Sequence, residues 1–351
     1  MNIEKKILKN HSLKTSNTLG FPASAEYFLA VKSESELEAA VDFAKQNKLS
    51  VRVLGGGSNV LMAPQVDGLV IRIDIMGKRI IQTNAEADIL SKEAVSIVVG
   101  GGENWHATVE WCVAQGLSGM ESMALIPGRM GAAPVQNIGA YGQEMKDIVV
   151  KVRAYHLETC AFVVLSKGEC RFAYRDSTFK QAPGQYIITE VELRLSRHQD
   201  DNVRYAALQS YFAHKGINQP NIKQVFDAVC AVRRSKLPDP EVLGNAGSFF
   251  KNPVVTLAQF QKLKQQWPDL IAYSESEGYM KLAAGWLIDQ CDWKGKRAGC
   301  VGVYEKQALV LVHFGGGQRE DLLQLAKDIQ DSIFTTFRVQ LEMEPQLFPT
   351  A

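Results

Sequence analysis

No run of about 18 apolar residues occurs in this chain of 351 residues, which excludes a conventional membrane-spanning helix. The opening stretch MNIEKKILKN lacks the apolar core of a signal peptide, so a cytoplasmic protein without a membrane partner is expected. Charge of one sign is missing too. The 39 basic and 38 acidic residues leave a net charge of +1, with no basic stripe for a nucleic acid and no like-charged block to form a disordered tail. Among Cys112, Cys160, Cys170, Cys230, Cys291 and Cys300 there is no C-x-x-C pair. A zinc ribbon or dithiol redox centre is therefore unsupported, and the thiols read as buried or half-buried. The six histidines form no H-E-x-x-H helix, so no metal is expected.

What is present is globular. A hydrophobic content of 46% suits a soluble core, and at about 150 residues per domain the length allows two or three domains. In SELEAAVDFAKQN, Leu37, Ala40, Val41 and Ala44 fall on one helical face, followed by the short strand SVRVL and the strand GLVIRI. VSIVVGGGENWHATVEWCVAQG repeats this order as strand, glycine turn and helix, with Gly116 as the stop. From Val149 the longer alternating runs VVKVRAYHLET and YIITEVELRLS predict antiparallel sheet, followed by helices near 203–214 and 221–233. The proline- and glycine-rich segment SKLPDPEVLGNAGSFFKNP marks a domain boundary at its start. Beyond it the pattern predicts helices near Leu257–Gln266 and Met280–Gln290, and the strand ALVLVHF. A last helix carries Leu322, Ala326, Ile329, Ile333 and Phe337, and a closing strand RVQLEME follows. The fold class is α+β.

Two glycine-rich loops stand out. Gly55-Gly56-Gly57-Ser58-Asn59 follows a strand, and amides without a neighbouring Cβ can form a nest of N–H donors for a pyrophosphate. A plain tight turn explains the triplet equally well. The Rossmann pattern fails at Val60, Trp105 and Glu320, where the glycine triplets at 55, 100 and 315 would each need a further glycine; no P-loop sequence is present either. The second loop, ALIPGRMGAAPVQNIGAYG, is nearly uncharged and rich in small residues, so its backbone can lie close against a flat cofactor. A buried packing loop is the alternative. Binding is preferred, because long loops without secondary structure in compact domains are usually functional.

LGGGSN at 54–59, IPGxxGAAPVQNIGAYG at 126–142, YRDS at 174–177, KLPDP at 236–240, GNAGSFFKNP at 244–253 and AAGWLID at 283–289 occur in this order. Together they resemble the UDP-N-acetylenolpyruvoylglucosamine reductase family, in its longer form, over nearly the whole chain. The resemblance implies an FAD-binding fold of the vanillyl-alcohol-oxidase type in two subdomains, with an α+β domain for the UDP-sugar. On this chain that places the first subdomain at residues 1–84 with 338–351, the second at 85–235 and the substrate domain at 236–337. It further implies a monomer with tightly bound FAD, reduced by NADPH. Hydride then passes to C3 of UDP-N-acetylglucosamine enolpyruvate and a proton to C2, in peptidoglycan precursor synthesis.

Residue by residue, the resemblance makes Ser248 the proton donor, Arg175 the cation on the substrate carboxylate and Glu344 the assisting acid. Read alone, Ser248 would be a helix N-cap, since the hydrolase elbow G-x-S-x-G fails at Ala246 and Phe250. Arg175 alone would be half of a surface ion pair with Asp176. Around Glu344 the chain reads Leu341-Glu342-Met343-Glu344-Pro345-Gln346, where the family has L-E-P-E followed by an aliphatic residue and arginine. The register favours Glu344, Glu342 stays open, and Gln346 leaves one flavin contact of the family unassigned. Gly55, Gly56, Gly57, Ser58, Asn59, Pro127, Gly128, Gly131, Ala132, Asn137, Gly139, Ala140 and Tyr141 are the expected cofactor positions. Arg233 is another, or else a cation compensating a helix end. Lys236 is expected on the substrate diphosphate, and Tyr174, Tyr205, Asn252 and Gln290 on the UDP-sugar. Two other readings stay open, an oxidase of a small alcohol or lactone on the same fold and a non-catalytic flavin or nucleotide binder. Lys236 and Ser248 have no purpose in the oxidase.

Overall fold

The computed structural model describes residues 3–81, 94–198 and 205–349. The chain divides into two compact units. The larger comprises residues 1–11, 25–56 and 67–235, and the smaller residues 12–24, 57–66 and 236–351. Lys236 opens the last stretch of the smaller unit, and the seam expected between residues 84 and 85 lies outside the described residues.

In the larger unit, Ser33 caps the helix Glu34–Gln46 by accepting from the Glu36 N–H at 3.2 Å. Leu37, Ala40, Val41 and Ala44 are all buried, as the period of the sequence requires. They pack with Leu69, Ile71 and Ile73 of a sheet ordered Leu8–Ser12, Ser24–Val31, Gln65–Ile73, Val51–Leu54, whose last pair is parallel. A second sheet is antiparallel throughout. Its order is Ala161–Ser166, Val149–His156, Tyr186–Ser196, Ala94–Gly100, Lys78–Ile81. Against it lies the helix Trp105–Ala114, capped by Asn104, and the stop expected at Gly116 is observed with φ +67°. Of the helices expected near 203–214 and 221–233, the first runs over Ala206–Lys215 and the second over Ile222–Lys236.

The smaller unit holds an antiparallel sheet ordered Gly244–Ser248, Val310–His313, Val301–Val303, Arg297–Ala298. The helix Arg319–Phe337 buries Leu322, Leu325, Ala326, Ile329, Ile333 and Phe337 in the core of this unit. Each large aliphatic side chain there contributes roughly 1.5–3 kcal/mol. The helix expected over Met280–Gln290 starts only at Ala284. Tyr279–Leu282 before it is the middle strand of a three-stranded sheet, which buries Leu282. RVQLEME forms no strand either. Val339 and Leu341 are buried alternately, but the segment contributes just an isolated bridge, Met343 with Phe250. The closing strand is Gln346–Phe348, parallel to Val60–Met62.

The thiols follow expectation. Cys112, Cys170 and Cys230 are buried, Cys160, Cys291 and Cys300 half-buried, and all six are free. Burial pushes Cys112 and Cys170 up to about 12, which keeps them as inert thiols. Among the described residues no group of three or more His, Cys, Asp or Glu could hold a metal ion. Nor is any helix among them long and apolar enough to cross a membrane.

Candidate functional site

In the larger unit the two glycine-rich loops lie against one another. A Cβ on Gly55 would come within 3.0 Å of the Ala132 Cβ, and one on Gly56 within 2.8 Å of the Gly128 Cα. Glycine at 56 is thus needed for backbone to meet backbone, and glycine at 55 leaves room for the Ala132 methyl group. Arg129, the charged exception in the second loop, fastens it. Its Nη1 donates to the Ile73 and Gly102 carbonyls at 2.7 and 3.0 Å and to Asp74 Oδ1 at 2.6 Å. The glycines at 100–102 serve packing as well, since a Cβ on any of them would meet backbone of residues 74–76 or 188 below 3.0 Å.

Among the described residues, the amides of Gly56 and Gly57 have no backbone acceptor, so the loop offers donors where a pyrophosphate could sit. At Gly57 the backbone takes φ +62° and a Cβ would strike the Ser16 carbonyl at 1.9 Å. A second open donor is the Nε of Arg233, which is shut off from solvent and has no partner, while Nη2 reaches the Leu125 carbonyl at 3.3 Å. Burial pulls the Arg233 pKa below its ordinary value, yet an arginine still keeps its charge. Within the larger unit, the open amide of Gly56 and the buried Arg233 cation with an unmet Nε donor each suit the diphosphate or polar edges of FAD.

The second loop bends sharply. Leu125, Asn137 and Tyr141 take φ of +57°, +47° and +53°, and Gly128 takes +124°. Tyr141 meets Tyr205 edge to face with ring centroids 4.8 Å apart, so a cofactor position and a substrate position of the sequence reading adjoin. Burial raises the Tyr141 phenol. Tyr205 is 42% exposed at the start of the helix Ala206–Lys215. Asn137, one of the expected cofactor positions, is bonded within the protein. Its side chain is buried and hydrogen-bonds protein atoms, with Nδ2 on the Ala173 carbonyl and Glu144 Oε2 and with Oδ1 accepting from Lys146 N–H. Tyr174 and Arg175 are the middle of a turn closed by Ala173 and Asp176, and Arg175 itself sits at φ +54°. The guanidinium lies over the Tyr174 ring at 5.3 Å and touches the Gly139 carbonyl at 3.3 Å.

In the smaller unit, Ser248 follows a bulge. The strand Gly244–Ser248 loses register with Val310–His313 between Asn245 and Ser248, where Gly247 takes φ +69°. Ser248 is exposed, while Phe249 and Phe250 behind it are fully buried. The Glu344 N–H donates to the Phe249 carbonyl at 2.9 Å, and the Glu344 carbonyl accepts from Asn59 Nδ2 at 3.3 Å. Glu342 instead turns its carboxylate to Lys251 at 2.7 Å, with its side chain 70% exposed. Asn252 Oδ1 accepts from the Ala284 N–H at 3.0 Å and so caps the helix Ala284–Gln290, which carries Gln290 exposed at its end. Lys236 is exposed.

Sequence reasoning missed Arg129, Ser177 and His106. Ser177 is fully buried and donates to the Val135 carbonyl at 2.6 Å. His106 Nδ1 accepts from the Leu125 N–H at 3.1 Å. For Arg129 a signal existed, a lone charge in an uncharged segment.

Residues 25–158 match the FAD binding domain family, and residues 239–348 match the family described as UDP-N-acetylenolpyruvoylglucosamine reductase, C-terminal domain. A UDP-N-acetylenolpyruvoylglucosamine reductase of Polynucleobacter asymbioticus is 46% identical over 342 residues, 97% of this chain and 96% of that one. Its counterpart from Pseudomonas aeruginosa is 43% identical over 342 residues, 97% and 99% of the two chains. Among solved structures, the UDP-N-acetylenolpyruvylglucosamine reductase of Thermus caldophilus is 25% identical with a TM-score of 0.65, covering 98% of both chains. A solvent-stable cholesterol oxidase, 12% identical with a TM-score of 0.51 over 98% of this chain and 88% of that one, shares the fold alone.

Proposed function

Since the chain belongs to the UDP-N-acetylenolpyruvoylglucosamine reductase family, we propose which of its residues carry that reduction: Ser248 as proton donor, Arg175 as the carboxylate-binding cation and Glu344 as the assisting acid. The protein is an NADPH-dependent flavoenzyme that converts UDP-N-acetylglucosamine enolpyruvate to UDP-N-acetylmuramate, a peptidoglycan precursor, on an α+β fold of the FAD-binding, vanillyl-alcohol-oxidase type. Neither the oxidase nor the non-catalytic reading is favoured. The likeness to cholesterol oxidase concerns the fold, while the relatives matched along nearly the whole chain are reductases.

FAD held at this site would supply hydride chemistry at C3 of the enolpyruvyl group, with NADPH as the reductant. Hydride addition leaves negative charge at C2 that spreads into the carboxylate, and the planar guanidinium of Arg175 suits both ends of that charge. Strain at a left-handed arginine persists where the surroundings over-determine it, as the bonds to Gly139 and around Asn137 do here. A serine hydroxyl is a poor acid in water. Ser248 stands exposed, so its shielding must come from the substrate that covers it. Glu344 is half-buried with its backbone held on both sides, and Lys236 is exposed to solvent, where its ammonium suits a diphosphate. Gly55 to Asn59, the loop from Pro127 to Tyr141 and Arg233 are the proposed cofactor contacts, and Tyr174, Tyr205, Asn252 and Gln290 the proposed UDP-sugar contacts.

The observation that carries this assignment is the bulge that presents Ser248 on a backbone fastened to Glu344 through Phe249. Rapid mixing of the Ser248→Ala variant tests it. NADPH should still reduce the flavin, and UDP-N-acetylglucosamine enolpyruvate should no longer reoxidise it at more than a hundredth of the normal rate, on the order of one lost proton donor. Reoxidation at the normal rate would remove Ser248 from the mechanism.

A further inference from the structure

We propose that Asn137 is the positioning residue for Arg175, holding the turn that carries the guanidinium rather than touching the cofactor with its side chain. The inference rests on the reading of Arg175 as the carboxylate-binding cation. Arg175 stands at φ +54° in a two-residue turn closed by reciprocal bonds between Ala173 and Asp176, at 3.0 and 3.2 Å. A non-glycine residue in that conformation relaxes unless its neighbours forbid it. Asn137 supplies the restraint. Its side chain is fully buried, and Nδ2 donates to the Ala173 carbonyl, the first residue of the turn, at 3.0 Å. The other Nδ2 bond, to Glu144 Oε2 at 3.0 Å, and the Lys146 N–H donated to Oδ1 at 2.9 Å fix the amide so that it cannot rotate away.

Two more contacts run between the same pair of segments. The Arg175 guanidinium reaches the Gly139 carbonyl, two residues beyond Asn137, and Ser177 Oγ donates to the Val135 carbonyl, two residues before it. The turn is therefore laid down on residues 135–139 at three points, with Asn137 at the middle one. Asn137 also lies in the left-handed region, at φ +47°, which asparagine and aspartate tolerate better than other side chains. A neutral amide fits where aspartate would not. Aspartate cannot donate to Ala173, and it would place a second carboxylate beside Glu144.

Asn137→Asp and Asn137→Gly both keep a backbone that accepts the left-handed conformation, and both remove the donor to Ala173. In the flavin-loaded protein, oxidation of the reduced flavin by the enolpyruvyl substrate should suffer at least tenfold more than reduction by NADPH, mainly as a raised KM for the substrate. Adding Arg175→Lys to Asn137→Gly should do no further harm than Arg175→Lys alone. Trypsin, with the cut bonds identified by mass spectrometry, should cleave after Arg175 at least tenfold faster in the variants, without a matching rise after Arg171. Equal losses in the two half-reactions, effects that multiply in the double variant, or unchanged cleavage after Arg175 would each overturn the proposal. If Arg175→Lys alone leaves the substrate half-reaction untouched, the role given to Arg175 fails, and the proteolysis still decides whether Asn137 holds the turn.

Discussion

The backbone N–H of Glu344 donates to the carbonyl of Phe249 at 2.9 Å, which ties the proposed acid to the residue beside the proposed proton donor. Asn59 holds the other side of Glu344 through its carbonyl. Two residues earlier, Glu342 spends its carboxylate on Lys251 at the surface. The two glutamates that sequence left open thus differ in environment: Glu342 is exposed in an ion pair that contributes at most about 1 kcal/mol, whereas Glu344 is half-buried with its backbone held.

Glu344→Gln should therefore lower turnover by roughly 10²–10⁴, the usual reach of a positioned proton-transfer group. Glu342→Gln should stay within about twofold, on the same reasoning that an exposed pair contributes little. Steady-state rates of the two variants decide the matter. Activity lost with Glu342→Gln and kept with Glu344→Gln would transfer the role.

The glycine loops can be separated into positions set by space and positions set by conformation. A Cβ on Gly56 has nowhere to go, 2.8 Å from the Gly128 backbone. Gly56→Ala should push the two loops apart and weaken flavin retention at least tenfold, or about 1.4 kcal/mol, read from the visible absorption left after desalting. Gly247 has open space around it and only its φ of +69° to defend. Gly247→Ala should lower stability by about 1–2 kcal/mol, seen as a lower Tm, with the flavin retained. Equal flavin loss in both variants would mean that the close contact at Gly56 has no special part in the cofactor site.

How much of this was legible in the sequence depends on whether a signal was local. The apolar stripe of Leu37, Ala40, Val41 and Ala44 needs a helix and a core, and both are found. RVQLEME has true alternation, with Val339 and Leu341 buried, but a strand also needs a partner, and pairing belongs to residues far away in the chain. Met280 to Gln290 reads as one apolar stretch, yet pairing with Val254–Thr256 takes its first residues into a sheet and leaves the helix to start at Ala284. At the site, the motifs give the positions and not the partners. Nothing near Asn137 says that its amide reaches Ala173, 36 residues on, or that the Glu342 carboxylate meets Lys251, 91 residues back.

His106 gives the molecule a pH dependence whose sign follows from one hydrogen bond. Its ring is stacked on Phe226 with centroids 5.5 Å apart, and Nδ1 accepts from the N–H of Leu125, whose carbonyl is held by Arg233. Leu125 is one of the left-handed residues of the second glycine-rich loop, so this bond helps hold a conformation that would otherwise relax. Nδ1 can accept only while it carries no proton. Burial depresses the His106 pKa below its ordinary 6.5, Arg234 and Arg233 press the same way, and Glu110 opposes them. In the window below about pH 6.5 and above the depressed folded value, the unfolded chain therefore binds more protons than the folded one, and stability rises with pH. The contribution is fully present above pH 6.5 and is lost as pH falls through the folded value. Carboxylates such as Glu34, which its Arg153 hydrogen bond holds below the ordinary 4.5, act at lower pH. Urea midpoints measured between pH 7.5 and about pH 5 should thus decline for the unaltered protein. His106→Asn places an amide oxygen where Nδ1 stood and cannot titrate, so its midpoint should decline less over the same interval. Parallel declines in the two proteins would show that the Leu125 bond does not set the slope.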